Sequence, residues 1–145
     1  MKKINEFRMT VDAKSVNESF CRAVCAAFSA QADPGVEAVG DVKTAVSEAV
    51  TNCIVHAYAE KGGKIYLSAA LYENGIIKIT VRDRGCGIPD VRRAMEPLYT
   101  TKGDDRSGLG FSVMQTFSDK LTVRSKPGRG TTVVIEKMIR GAADV

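Results

Sequence analysis

The chain has 145 residues, 44% of them apolar and 26% charged, with a formal net charge of +4; that balance excludes the disordered and fibrous classes and leaves a folded domain. No apolar run approaches the ~20 residues of a bilayer span and no apolar segment follows the opening lysines, so a membrane protein or a secreted precursor is excluded and a cytoplasmic chain is expected. The basic residues are interleaved with acids along the sequence, without the stripe that marks a nucleic-acid surface, so direct nucleic-acid contact is not expected.

One domain, residues 1–145, is the natural reading, and a domain of this size holds a core without disulfides or a structural metal. Cys21, Cys25, Cys53 and Cys86 form no CxxC pair and have no histidine cluster beside them, so they read as small buried side chains.

Phe7, Met9 and Val11 alternate with polar residues and predict a first strand. Ser15 followed by Glu18 fits a capping box, and Val16, Phe20, Ala23, Val24 and Ala27 recur at helical spacing, predicting a first helix to about residue 30. Asp33-Pro34 reads as the start of a second helix, whose stripe runs through Val36, Val39, Val42, Val46, Ala49, Val50, Cys53, Ile54 and Ala57. Asp41, Glu48, Asn52 and His56 lie along one edge of that stripe.

Ile65 to Leu71 and Ile77 to Val81 alternate about Asn74-Gly75, a strong hairpin signal. A long polar, glycine-rich loop from Arg84 to Gly110 holds one short helical stretch near Val91 to Met95. A helix over residues 111–117 and two strands, 121–125 and 131–137, close the chain around Pro127-Gly128-Arg129-Gly130. The order βααββαββ predicts an α+β two-layer sandwich, with helices on one face of a mixed, largely antiparallel sheet.

Three segments carry chemistry. Glu48 and Asn52 stand four residues apart on one helix face, placing a carboxylate beside an amide. Asp83-Arg84-Gly85-Cys86-Gly87-Ile88 ends a strand with an acceptor for an exocyclic amine and with two glycines that admit a close neighbour. Ser107-Gly108-Leu109-Gly110-Phe111 opens a helix, where free amides attract an anion. Singly, these also fit a solvated helix edge, an Asx turn and an ordinary glycine turn. No Walker A pattern and no kinase-type G-x-G-x-x-G is present.

In this order the segments resemble the N, G1 and G2 boxes of the GHKL (Bergerat-fold) ATP-binding superfamily, and Gly128-Arg129-Gly130-Thr131 resembles its closing motif. Asn17-Glu18-Ser19-Phe20, Gln31-Ala32-Asp33-Pro34, Val46 to Asn52, Glu96 to Lys102 and Arg106 to Phe111 further resemble the sporulation anti-sigma-F factors over nearly the whole chain. That resemblance implies a serine-protein kinase that uses ATP with Mg2+, yields ADP, holds a sigma factor (sigma F) inactive, phosphorylates an anti-anti-sigma protein, and forms a homodimer.

Position by position, the resemblance makes Asp83 the adenine anchor, Asn52 a magnesium ligand, Gly108 and Gly110 a phosphate cradle, and Glu48 the general base. Arg106 would stabilise transferring charge. Gly85, Gly87, Thr100, Thr101, Ser107 and Thr131 would complete the nucleotide site, under a lid over residues 96–107. Arg22, with Glu18 one turn before it, would grip the protein partners; lone His56, two turns from Glu48 on the same helix edge, reads from its position as a structural residue or one that supports the site from behind. Rival readings are a sensor histidine kinase catalytic domain, a stress-response anti-sigma kinase, and a sigma-binding module that uses nucleotide without transferring phosphate. The first lacks a preceding histidine-bearing dimerisation segment here, and Glu48 speaks against the last, since binding alone needs no base.

Overall fold

The computed structural model describes residues 1–96 and 110–140. Its elements are β1 (Lys3–Asp12), α1 (Val16–Ser29), α2 (Val36–Asn52), β2 (Lys64–Tyr72), β3 (Ile76–Arg82), α3 (Val91–Ala94), α4 (Phe111–Thr116), β4 (Lys120–Lys126) and β5 (Gly130–Met138). A 3-10 turn, Ala30–Ala32, extends α1, and a π-wound turn, Cys53–Ala57, extends α2. No helix among the described residues is long and apolar enough to cross a membrane.

The five strands lie in the order β1-β2-β3-β5-β4, and every pairing is antiparallel. The predicted α+β sandwich is therefore present, with a wholly antiparallel sheet. Strict alternation sends Ile65, Leu67, Leu71, Ile77, Ile79, Val81, Val133 and Ile135 to the helical side, where they are buried against Val42, Val46 and Val50 of α2 and against Phe111 and Met114 of α4. On α1, Phe28 meets Phe7 of β1 edge to face, with centroids 4.9 Å apart.

Three local expectations are corrected. The Ser15–Glu18 capping box does not form: Ser15 has helical backbone angles and makes no side-chain cap. Glu18 is engaged elsewhere, accepting from Ser47 Oγ of α2 at 2.5 Å and facing Arg22 at 3.6 Å, so a contact between helices replaces the local one.

The core side of α1 is also rotated from the predicted stripe. Cys21, Cys25 and Phe28 are buried, whereas Val16 and Phe20 are 74% and 50% exposed and Ala23 and Ala27 face solvent. Residues 21, 25 and 28 are themselves spaced for one helix face, and counting cysteine as a core residue would have favoured it.

Finally, α2 begins at Val36, not at Pro34. Asp33 takes a left-handed conformation that closes the 3-10 turn, Pro34 bridges to Arg140, Gly35 is extended, and Val36 is 92% exposed. Of the four cysteines, three are buried as expected; Cys86 is exposed.

Candidate functional site

The site lies where α2 passes over the ends of β3 and β5. There α2 widens into its π-wound last turn, a distortion found disproportionately at functional sites. Cys53, His56 and Ala57 of that turn, with Ala49 and Asn52, form one wall of a cavity of about 250 Å³. Cys86, Gly87, Ile88 and Pro89 form the rim, and Asp83, Phe111, Thr131 and Val133 the remainder. This is below the ~300 to 1,000 Å³ typical of whole-ligand pockets and suits one flat ring system with apolar faces.

Asp83 is the buried carboxylate of this cavity, 5% exposed. Its Oδ1 accepts from the Gly85 N–H at 2.9 Å and the Thr131 N–H at 3.2 Å, while Oδ2 accepts from the Cys53 thiol at 3.6 Å. Burial pushes the Asp83 carboxyl above its ordinary value, against the pull of these three donors. Burial likewise drives the Cys53 thiol well up, helped by the nearby Asp83 charge. One carboxylate oxygen is thus fixed by the backbone, and the other is left with a weak sulfur donor, which a stronger N–H donor can outcompete.

The loop after Asp83 is fastened on both sides. Cys86 donates its N–H to the Ala57 carbonyl, Gly128 donates to the Cys86 carbonyl, and Ile88 donates to Ser125 Oγ. Ser125 Oγ in turn lies 2.8 Å from Thr131 Oγ1. Gly87, at φ +75°, passes so near the Lys126 carbonyl that a Cβ would collide with it. Gly85 lies outside the cavity wall and contributes its N–H to Asp83.

Glu48 stands one turn before Asn52 on α2. Gly110, at φ +69°, opens α4 directly against it, and any side chain there would run into the Glu48 carboxylate. Glu48 also borders a second, polar depression of about 340 Å³ that it shares with Ser47, Lys43 and Arg22. The fold therefore gathers Asn52, Asp83, Gly87 and Thr131 around one cavity, sets Glu48 and Gly110 beside each other, and brings Arg22 and Glu18 of α1 to the Glu48 side of α2. Thr100, Thr101, Arg106, Ser107, Gly108 and nearly all of the 96–107 lid lie outside the described residues.

Sequence reasoning did not single out Cys53, Cys86, Ile88, Phe111 or Val133 as walls of the site. Cys53 was recoverable in part, since it follows Asn52 on the helix. Val133 is reached only through strand pairing with β3.

Residues 10–137 match the family model described as the histidine kinase-like ATPase domain. An anti-sigma F factor from Caldanaerobacter subterraneus subsp. tengcongensis is 56% identical over 128 residues, 88% of this chain and 89% of that protein. An anti-sigma F factor from Thermoanaerobacter sp. is 51% identical over 140 residues, 96% of this chain and 97% of that protein. Among solved structures, the RsbU and RsbW domains of a Mycobacterium tuberculosis protein superpose with a TM-score of 0.69 at 22% identity, covering 94% of this chain and 33% of that one, a likeness of fold.

Proposed function

Because the chain belongs to the anti-sigma F factor family and is built on a histidine kinase-like ATPase domain that binds nucleotide, we propose that it is a cytoplasmic protein-serine kinase acting as one domain. In this reading it holds sigma F inactive and uses ATP to phosphorylate a serine of its anti-anti-sigma protein. The observation that carries the reading is the buried Asp83 carboxylate in the wall of a ring-sized cavity, held at Oδ1 by two backbone donors with only the weak Cys53 thiol donor on Oδ2.

Asp83 accepts the adenine amine. Thr131, Gly85 and Gly87 fix that carboxylate and the loop behind it, and Ile88, Phe111 and Val133 cover the ring faces. Asn52 and Phe111 of the cavity wall neighbour Glu48 and Gly110 on their helices, and in this reading the phosphates run along α2 to the start of α4. Gly108 and Gly110 supply backbone amides there, with Thr100, Thr101 and Ser107 as further contacts.

The Asn52 side-chain oxygen is a hard donor one turn from a carboxylate, which fits Mg2+ held by one or two protein oxygens and by phosphate oxygens. When bound, Mg2+ neutralises charge on the phosphates. Glu48 accepts the proton of the partner's serine hydroxyl as its oxygen bonds to the γ-phosphorus and the bond to the ADP oxygen breaks. Arg106 stabilises the charge that develops on the transferring group.

The depression shared by Glu48 and Arg22 supports the partner side of this reading, because a serine entering it passes the Arg22 guanidinium. The exposed Phe20 and Val16 add apolar area on another side of the same helix, since residues two apart do not share a face. We also read the chain as a homodimer, to be checked by sedimentation.

The test is incubation with γ-labelled ATP and a purified anti-anti-sigma protein, followed by mapping of the label. Label on a serine is expected from the wild type, and Glu48→Gln should slow single-turnover transfer roughly 10²- to 10⁴-fold with ATP binding retained. A wild-type rate in that variant would return the chain to the class of nucleotide-dependent binding modules.

A further inference from the structure

The sheet has two faces, and among the described residues helices cover only one. Basic residues scattered along the sequence converge on the other. In one row of pairings across the sheet, Thr10 meets Tyr66, Tyr66 meets Arg82, Arg82 meets Thr132, and Thr132 meets Arg124. In the next row, Arg8 meets Ser68 and Ser68 meets Thr80. Arg84 follows two residues after Arg82, and Arg129 sits at the β4–β5 turn.

Two open depressions, of about 550 and 410 Å³, adjoin at Arg82; one reaches Arg8 and the other Arg84 and Arg129. The guanidinium carbons of Arg82 and Arg84 each lie 4.9 Å from the centroid of the Tyr66 ring. Tyr66 therefore holds two like charges together that would otherwise repel.

Among the described residues, no ion pair engages Arg8, Arg82, Arg84, Arg124 or Arg129. Of the carboxylates on this face, Glu6 is engaged by Lys3 and Asp12 by Lys64, while Glu136 stands in register between Lys78 and Lys120, toward the opposite end of the strands from Arg82 and Arg124. Arg8 adds only a smaller pull on Glu6.

We propose that the open face of the sheet, through Arg8, Arg82, Arg84 and Arg124, is a docking surface for an acidic segment of a partner protein. Arginine forks match carboxylates bidentately, and the intervening threonine and serine hydroxyls add neutral donors. A nucleic acid fits less well. Tyr66, the aromatic residue of these rows, is occupied by the two guanidiniums and offers no ring for base stacking. From β1 to β4 the surface spans four strand intervals, about 19 Å at ~4.8 Å each, the length of roughly six extended residues. The surface lies on the side of the sheet opposite α2, and the inference does not rest on the kinase reading.

The experiment is fluorescence anisotropy at low salt with labelled hexaglutamate and, separately, labelled hexathymidylate, on the wild type and on an R8E/R124E double variant. ADP affinity and melting temperature are read on the same samples. Hexaglutamate should bind the wild type more tightly than hexathymidylate does, and the variant should lose at least tenfold with ADP affinity and melting unchanged. Amide shifts in the wild type should centre on Ser68, Thr80 and Thr132. Tighter oligonucleotide binding would replace the acidic protein with a nucleic acid and overturn the proposal. So would equal peptide binding by the variant, no binding by the wild type, or shifts confined to the helical side.

Discussion

Asp83 has its charge made costly and its geometry fixed by the same surroundings. Because burial raises its folded carboxyl above the ordinary value of 3.8, the folded chain holds this proton more tightly than the unfolded chain does. Ionisation of Asp83 therefore subtracts stability above the ordinary aspartate range, and that loss is relieved as pH falls through the raised value. Adenine binding at Asp83, as proposed, has the opposite requirement, since the amine needs the ionised acceptor. ADP affinity should fall on acidification with a midpoint above 3.8, as read by calorimetry across pH. Asp83→Asn should abolish that pH step. Its amide oxygen can keep the Gly85 and Thr131 N–H bonds, but its NH2 would confront the adenine amine donor to donor. The variant should melt no lower than the wild type at neutral pH while losing about 1.5 to 3 kcal/mol of ADP binding, roughly ten- to a hundredfold. Unchanged ADP affinity in the folded variant would remove Asp83 from the site.

The cysteines divide on the same physical ground. Burial raises the Cys21 and Cys25 thiols to about 11 and about 12 and the Cys53 thiol well above its ordinary value, while Cys86 is exposed at the cavity rim. A disulfide reagent should modify Cys86 rapidly in the native protein and the other three only on unfolding, because the thiolate is the nucleophile. Saturating ADP should slow Cys86. Rapid reaction at a second cysteine, tracked by mass spectrometry, would contradict the packing described for α1 and α2.

At the level of elements, α1 shows how far a sequence speaks. Its two apolar stripes are offset by about one residue, and the one that includes Cys21, Cys25 and Phe28 faces the core. Phe28→Ala should cost about 3 to 5 kcal/mol in denaturant unfolding, while Ala27→Ser should stay within about 0.5 kcal/mol. The reverse ranking would restore the stripe through Val16, Phe20 and Ala27. The strands were legible because alternation and Asn74-Gly75 fix both period and turn. The start of α1 was not, because whether Glu18 caps its own helix or bonds Ser47 depends on a residue 29 positions away. Likewise the meeting of Asn52 and Asp83 at one cavity, with Glu48 one turn before Asn52, was legible through the order of their motifs. The Cys53 contact and the walls from Phe111 and Val133 were not, since they arise only when α2, α4 and β5 are packed together.

At the scale of the molecule, the cavity is a junction. Its walls come from α2 and its π-wound turn, the end of β3, the loop fastened beneath the β4–β5 turn, α4 and β5. A ligand seated there contacts all of them at once, so binding should couple to global unfolding and not merely stiffen one loop. For a ligand that binds only the folded chain, ADP at a hundred times its dissociation constant adds about 2.7 kcal/mol. For a domain near 150 residues, each kcal/mol raises the melting temperature by about 2 to 4 °C, which gives a rise of roughly 5 to 11 °C. The rise should grow with the logarithm of ADP concentration and be nearly absent in Asp83→Asn at the same concentrations. R8E/R124E, altered on the far side of the sheet, should show the full rise. A single cooperative transition should move as a whole in scanning calorimetry. If ADP instead sharpened or split off a minor transition and left the main one in place, the cavity would belong to a locally opening unit, and the strand ends of β3 and β5 would not be carrying the nucleotide.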